Sequence, residues 1–283
     1  MFLPHFFLQP VSSLPISFFR IFFALFMLYR TWKTWDIHLY FKLHTFNFSY
    51  LRGLKPFKGL QYLNYLRVVA FVGLLLGLEG FASLSFVLFF HLFFLDKALY
   101  FDSIYLQGLF LFLLALTDSN ASLSVVESTV SQVPYWQIFV FQFQIAIVFF
   151  YKAVSKLHYD WLFRQEPLRD FLWFFANQSS NRLQVYRRYT GKHFAALIHS
   201  LFNHQLFAKC LAYFLPIIEL LICPLIFYPP SYSLGIVLYF AYCIVYDLFS
   251  GQSFFCYENY LYGLFLIRPD FLGRVFELFG GVL

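Results

Sequence analysis

Three features of the sequence predict an all-α integral membrane protein, a polytopic bundle of transmembrane helices with interfacial amphipathic helices. Of its 283 residues, 61% are hydrophobic and only 12% are charged. The mean hydropathy is +0.67. Long apolar runs recur from one end of the chain to the other. A soluble domain carries about 25% charged residues. At half that density too few polar groups remain to cover a surface facing water, so lipid must be the solvent for most of the chain.

A crossing helix needs about 20 mostly apolar residues. Runs that meet or approach this extend over Leu14–Trp32, Tyr62–Leu78, Ala82–Leu95, Ile104–Thr117, Trp136–Val154, Leu206–Tyr228, Ser233–Leu248 and Phe254–Ile267. They predict about eight crossings, the shorter ones tilted, re-entrant or merged. Two longer connections, Asp36–Gly59 and Leu157–His204, mix aromatic with basic residues, the pattern of helices lying in the membrane interface. The second contains WLFRQEPLRDFLWFF and a basic patch of Arg182, Arg187, Arg188 and Lys192. No internal repeat or low-complexity linker divides the chain, so residues 1–283 are expected to form one membrane domain. Neither a basic leader nor a small-residue cleavage site marks the N-terminus as a signal peptide.

The net charge of +6 does not point to nucleic acid. The basic residues lie between apolar runs, where they set membrane orientation. The stretches Lys33–Lys58 and Lys156–Lys192 are basic, whereas Asp118–Val133 has no Lys or Arg. The expected N-terminus is therefore outside, with both basic stretches in the cytoplasm. Cys210, Cys223, Cys243 and Cys256 form no CxxC pair and read as small buried hydrophobes. His91 reads as a core histidine, and His158, His193, His199 and His204 lack metal-ligand spacing. No metal is expected, and nucleotide-binding or hydrolase motifs are absent.

Charges inside apolar runs carry the functional signal, because an unpaired charge in a membrane is costly. They are Arg20, Asp96, Lys97, Lys152, Lys156, Glu219, Asp247 and Glu258. Arg20 and Glu219 lie deepest and are expected to be buried and compensated, most simply by each other. Lys152, Lys156 and Asp160 are spaced i, i+4, i+8, which a continuous helix would stack on one face. A lysine whose charge is disfavoured by burial and by a neighbouring ammonium can serve as a general base. Asp160 would orient or compensate it. The alternative is a pair of lysines reaching to the membrane interface.

Two stretches carry a resemblance. They are FFLDKALYFDSIYLQGLFLFLLALTDSN and VPYWQIFVFQFQIAIVFFYKAVSKLHYDWL. The matching features are the LDK of Leu95–Lys97, the YLxG of Tyr105–Gly108, Asp118 with Asn120, Val133–Pro134, Trp136, the QIxIVxF beginning at Gln144, and the KLxxDW of Lys156–Trp161. Arg20 and Glu219 also match. The chain resembles the HTTM family and, within it, the membrane domain of vitamin K-dependent gamma-glutamyl carboxylase. It is also similar to short bacterial members that consist of the membrane domain alone.

The resemblance implies a multi-pass protein, expected in a bacterial cytoplasmic membrane. It also implies a lysine base, Lys156, that deprotonates a reduced quinone of the vitamin K type and so begins proton abstraction from a peptide or protein. Lys152 and Asp160 would tune that base. Arg20, Asp96, Lys97, Tyr105, Asp118, Gln144, Trp161, Glu219 and Asp247 would line or support the cavity. Where the carboxylase has histidines, this chain has Asp102, Ser103 and Asp247. Vitamin K epoxidation itself is therefore expected to be absent. The chain is also expected to be without the carboxylase's large C-terminal lumenal domain. Expected partners are membrane lipid, a small secreted peptide as substrate and a small accessory protein, as in a relative that matures a toxin peptide. A different class of function, a non-enzymatic lipid or quinone binder or a peptide-export scaffold, is the competing expectation. An enclosed Lys156 favours the enzyme.

Overall fold

The computed structural model describes residues 7–33, 35, 60–95, 102–125, 132–164, 205–227, 231–250 and 263. Helices make up 81% of the residues so described, which meets the all-α expectation. The elements are α1 (Leu14–Lys33), α2 (Leu60–Leu76), α3 (Phe81–Leu95), α4 (Asp102–Leu116), α5 (Tyr135–Lys156), α6 (Gln205–Leu225) and α7 (Tyr232–Ser250). Seven of the eight apolar runs thus coincide with helices. The eighth, Phe254–Ile267, lies outside the described residues apart from Gly263, as do the Asp36–Gly59 connection and most of Leu157–His204.

Only α1 and α5 combine the length and apolar composition for crossing a membrane among the described residues. The exposed faces support a lipid solvent. Phe22, Leu25 and Tyr29 on α1, Phe143, Ile147 and Phe150 on α5, and Phe214, Ile217 and Leu221 on α6 all point outward. Their spacing makes continuous apolar stripes, which a protein surface in water rarely carries.

The chain divides into two compact units, within residues 1–141 and 142–266. In the first, α1, α2, α3 and α4 pack in sequence. Phe19 and Phe23 of α1 meet Phe110 of α4 at centroid distances of 5.4 and 6.5 Å, and Phe19 lies 5.6 Å from Phe141. In lipid, helices gain little from hiding apolar surface, so such interlocking contacts must hold them together. A short antiparallel ladder of β1 (Pro10–Ser12) and β2 (Gln132–Pro134) pairs Val11 with Val133. Tyr135 N then donates to Gln9 O at 2.9 Å. The ladder holds the starts of α1 and α5 side by side. Pro15 sits in the first turn of α1, where its missing N–H costs nothing, and Ser13 O accepts the first helical bond from Ser17 N.

The turn from α2 to α3 depends on Gly77, whose φ is +73°. Leu78 N closes it by donating to Gly73 O, the arrangement in which a left-handed glycine ends a helix. A Cβ on Gly77 would also collide with the Arg20 guanidinium. Gly77→Ala is therefore expected to destabilise the protein by about 1 kcal/mol or more through the backbone alone. A lowered unfolding midpoint of the full chain in detergent checks this, with Gly80→Ala as the comparison that carries the same backbone cost (φ +78°) without the collision, since its Cβ would meet open space.

Candidate functional site

The chemistry gathers in the second unit, where α5, α6 and α7 each supply a side chain. Glu219, in the middle of α6, is completely buried. Both its oxygens accept hydrogen bonds from Lys156 Nζ at 2.7 Å. Tyr242 of α7 donates from its hydroxyl to Glu219 Oε1 in a short hydrogen bond. Lys156 Nζ makes a third bond, to the carbonyl of Lys152, at 3.1 Å. The Lys156 side chain is only 16% exposed, so its ammonium is enclosed rather than reaching to the interface.

The chain turns sharply just after Lys156. Helix α5 stops there, and Asp160–Arg164 form a single π-turn. The turn swings Trp161 back, where its ring lies 5.7 Å from Lys156 Nζ, within cation–π range. Trp161 Nε1 donates to Ala212 O at 3.0 Å. That acceptor is free because Pro216, four residues on in α6, has no N–H to offer it. The proline thus opens a docking point for the indole that walls the lysine. On the other side, Phe149 packs edge-on against Tyr242 at 5.2 Å. Cys223 Sγ lies 3.2 Å from Ala146 O and 3.4 Å from Glu219 O, tying α6 to α5 one turn from the carboxylate.

Several expectations need correction. The Lys152–Lys156–Asp160 stack does not form, because the helix ends at Lys156 and the π-turn carries Asp160 away. Asp160 is exposed and pairs with Arg164 at 3.6 Å. Lys152 presents its carbonyl to Lys156, and its own ammonium lies over the Phe149 ring at 5.6 Å. Arg20 and Glu219 are both buried, as expected, each with a partner inside its own unit. Glu219 is compensated by Lys156, and Arg20 donates to Leu123 O at 2.5 Å. Cys210 is exposed and Cys223 half-buried; among the described cysteines only Cys243 is the buried thiol expected.

The remaining predicted positions are placed as follows. Tyr105 is 48% exposed on α4. Asp118 is exposed and holds Gln137 through its carboxylate at 2.5 Å and its N–H at 3.0 Å. Gln144 is half-buried on α5. Asp102, Ser103 and Asp247 lie on helices whose side chains at those positions are outside the description, and Asp96, Lys97, Glu258 and Cys256 lie outside it altogether. Tyr242 has no counterpart among the predicted positions. It is one of 21 tyrosines, and only the packing of α7 against α6 distinguishes it.

An enclosed cluster of lysine, carboxylate and tyrosine, walled by aromatic rings and held on three apolar helices, defines a polar site inside a membrane protein. The HTTM domain family model matches residues 8–270. The chain belongs to the HTTM family and is a membrane protein of the carboxylase-like group that this family comprises. No solved structure matches it.

Removing either member of the buried pair strands the other. Lys156→Met or Glu219→Gln is each expected to cost about 3–5 kcal/mol. The double variant is expected to fall short of the sum by about 1–3 kcal/mol. Unfolding midpoints of the four full-length proteins in one detergent check the coupling.

Proposed function

We propose that this protein is a membrane enzyme that modifies or matures a peptide or protein, beginning with proton abstraction at Lys156. The single observation that carries the reading is the grip of a fully buried Glu219 on the enclosed Lys156 ammonium. An ammonium so held is not itself a base. It becomes one when its proton moves to Glu219, leaving a neutral amine beside a neutral carboxyl group. In water that transfer is strongly disfavoured. Enclosure by Trp161 and three apolar helices keeps water from competing for the proton between the two groups. Tyr242, bonded to the same carboxylate, steadies whichever form Glu219 adopts and fixes which oxygen receives the proton. Trp161 limits water at the amine. Glu219 and Tyr242 therefore take the tuning role expected of Asp160 and Lys152.

The family supports a reduced quinone as the group that Lys156 deprotonates, and a peptide as the final substrate. A small secreted peptide and a small accessory protein, as with a toxin-maturing relative, are the partners proposed. The bundle is proposed to cross a bacterial cytoplasmic membrane several times, the apolar faces of α2, α3, α4, α6 and α7 completing what α1 and α5 begin. A second reading rests on the closure of the pair upon itself. With both Glu219 oxygens already on Nζ, the cluster would equally well stiffen a lipid or quinone binder or a peptide-export scaffold.

The two readings part on activity. Cells expressing the wild-type chain are expected to secrete a peptide with a mass change that Lys156→Met abolishes and Tyr242→Phe reduces by about 100-fold in rate, the usual reach of an acid–base partner. Secreted peptides of identical mass with wild type and Lys156→Met would leave the scaffold reading in place. Purified protein given reduced vitamin K and oxygen is expected to form no epoxide. Lys156-dependent epoxide would overturn that expectation and restore the full carboxylase mechanism.

A further inference from the structure

Arg20 is a buried charge that the proposed chemistry leaves unused. Its side chain is completely buried in the first unit. Nη2 donates to the Leu123 carbonyl. Nε and Nη1, which carry three N–H donors between them, are buried and have no acceptor. No carboxylate pairs with Arg20 among the described residues of the first unit. A guanidinium cannot shed its charge as a lysine or carboxyl group can. Left without a countercharge away from water, it is a costly feature to keep, and such a group in a membrane protein marks a site.

The surroundings are shaped to the guanidinium. Leu123, which accepts its one hydrogen bond, has φ of 51°, a conformation that residues other than glycine seldom adopt. Gly77 leaves room for Nη1 where any side chain would collide. Ser124 Oγ donates to Gly77 O at 2.9 Å and Val125 N to Leu76 O at 3.0 Å, so the 117–125 loop is fastened over the end of α2. Ser17, one turn before Arg20, shares a hydrogen bond with Ser122 at 2.8 Å. Ser85, one turn into the helix that follows the Gly77–Gly80 turn, has a second buried polar atom without a partner.

We infer that Arg20 anchors an oxyanion-binding site, in which a carboxylate or phosphate group supplies the missing countercharge. Nε and Nη1 are its donors. A planar guanidinium matches the oxygen atoms of such a group better than it matches a spherical ion. The anion is either a small soluble one or the headgroup of an anionic lipid, since both present the same oxygens.

The full chain in phosphatidylcholine nanodiscs is titrated with sodium phosphate and with sodium acetate, against sodium chloride at matched ionic strength. In parallel it is reconstituted with phosphatidylglycerol. A ligand that binds the folded state raises its unfolding temperature in a saturable way. A saturable rise with phosphate or acetate, lost in Arg20→Gln, establishes a soluble anion as occupant. A rise with phosphatidylglycerol alone, equally lost in Arg20→Gln, establishes a lipid headgroup. If Arg20→Gln does not fold, Arg20→Lys serves, and its half-saturation is expected to shift upward about 10-fold, because a point charge replaces a planar fork. A wild-type protein that responds to none of the three, or a response equal in both variants, overturns the site.

Discussion

A charge in a membrane interior has to be answered by another, and the pair of Lys156 with Glu219 is the answer on which the second unit is organised. Glu219 is wholly buried in the middle of α6. Unpaired, its buried charge would be strongly destabilising. The lysine that answers it comes from the last turn of α5, so α5 and α6 must meet with that turn opposite that carboxylate. Tyr242 then fixes α7 against the same oxygen. Three helices whose lipid-facing sides offer no preferred register gain one from a few polar atoms. Polar contacts between helices are a common source of such specificity in membranes, where apolar surface gives little direction.

The aromatic and proline details follow from the same requirement. Pro216 would weaken α6 if its freed carbonyl stayed empty. Trp161 fills it, and in doing so closes the lysine's enclosure. The π-turn at Asp160–Arg164 is what lets the indole reach back. The matching KLxxDW motif therefore has a physical content: the lysine, the break after it, and the tryptophan that the break returns to the lysine.

Much of this was legible in the sequence, and what was not has a specific cause. Apolar runs located seven helices, because length and hydropathy are local properties. The burial of Glu219 and the enclosure of Lys156 were legible too, from the cost of charge in an apolar run and from the family pattern. Their partners were not. Arg20 and Lys156 both carry the charge that Glu219 needs, and the sequence alone does not bring Lys156 to it. Asp160 was assigned to the lysine face by extending the α-helical period past Lys156, where the helix stops. Tyr242 was invisible, since a tyrosine in so aromatic a chain carries no signal until its neighbour is known.

The most direct test is the accessibility of the Lys156 amine itself. Full-length protein in lipid is treated with an amine-acylating reagent, and the extent of labelling at each lysine is followed by peptide mass spectrometry. Exposed Lys33 and Lys209 serve as references. An amine enclosed by Trp161 and held by both oxygens of Glu219 is predicted to stay unlabelled long after Lys33 and Lys209 are complete, and Glu219→Gln or Trp161→Ala is predicted to release it. Labelling of Lys156 in the wild-type protein as fast as at Lys33 would contradict the buried pair and the mechanism built on it.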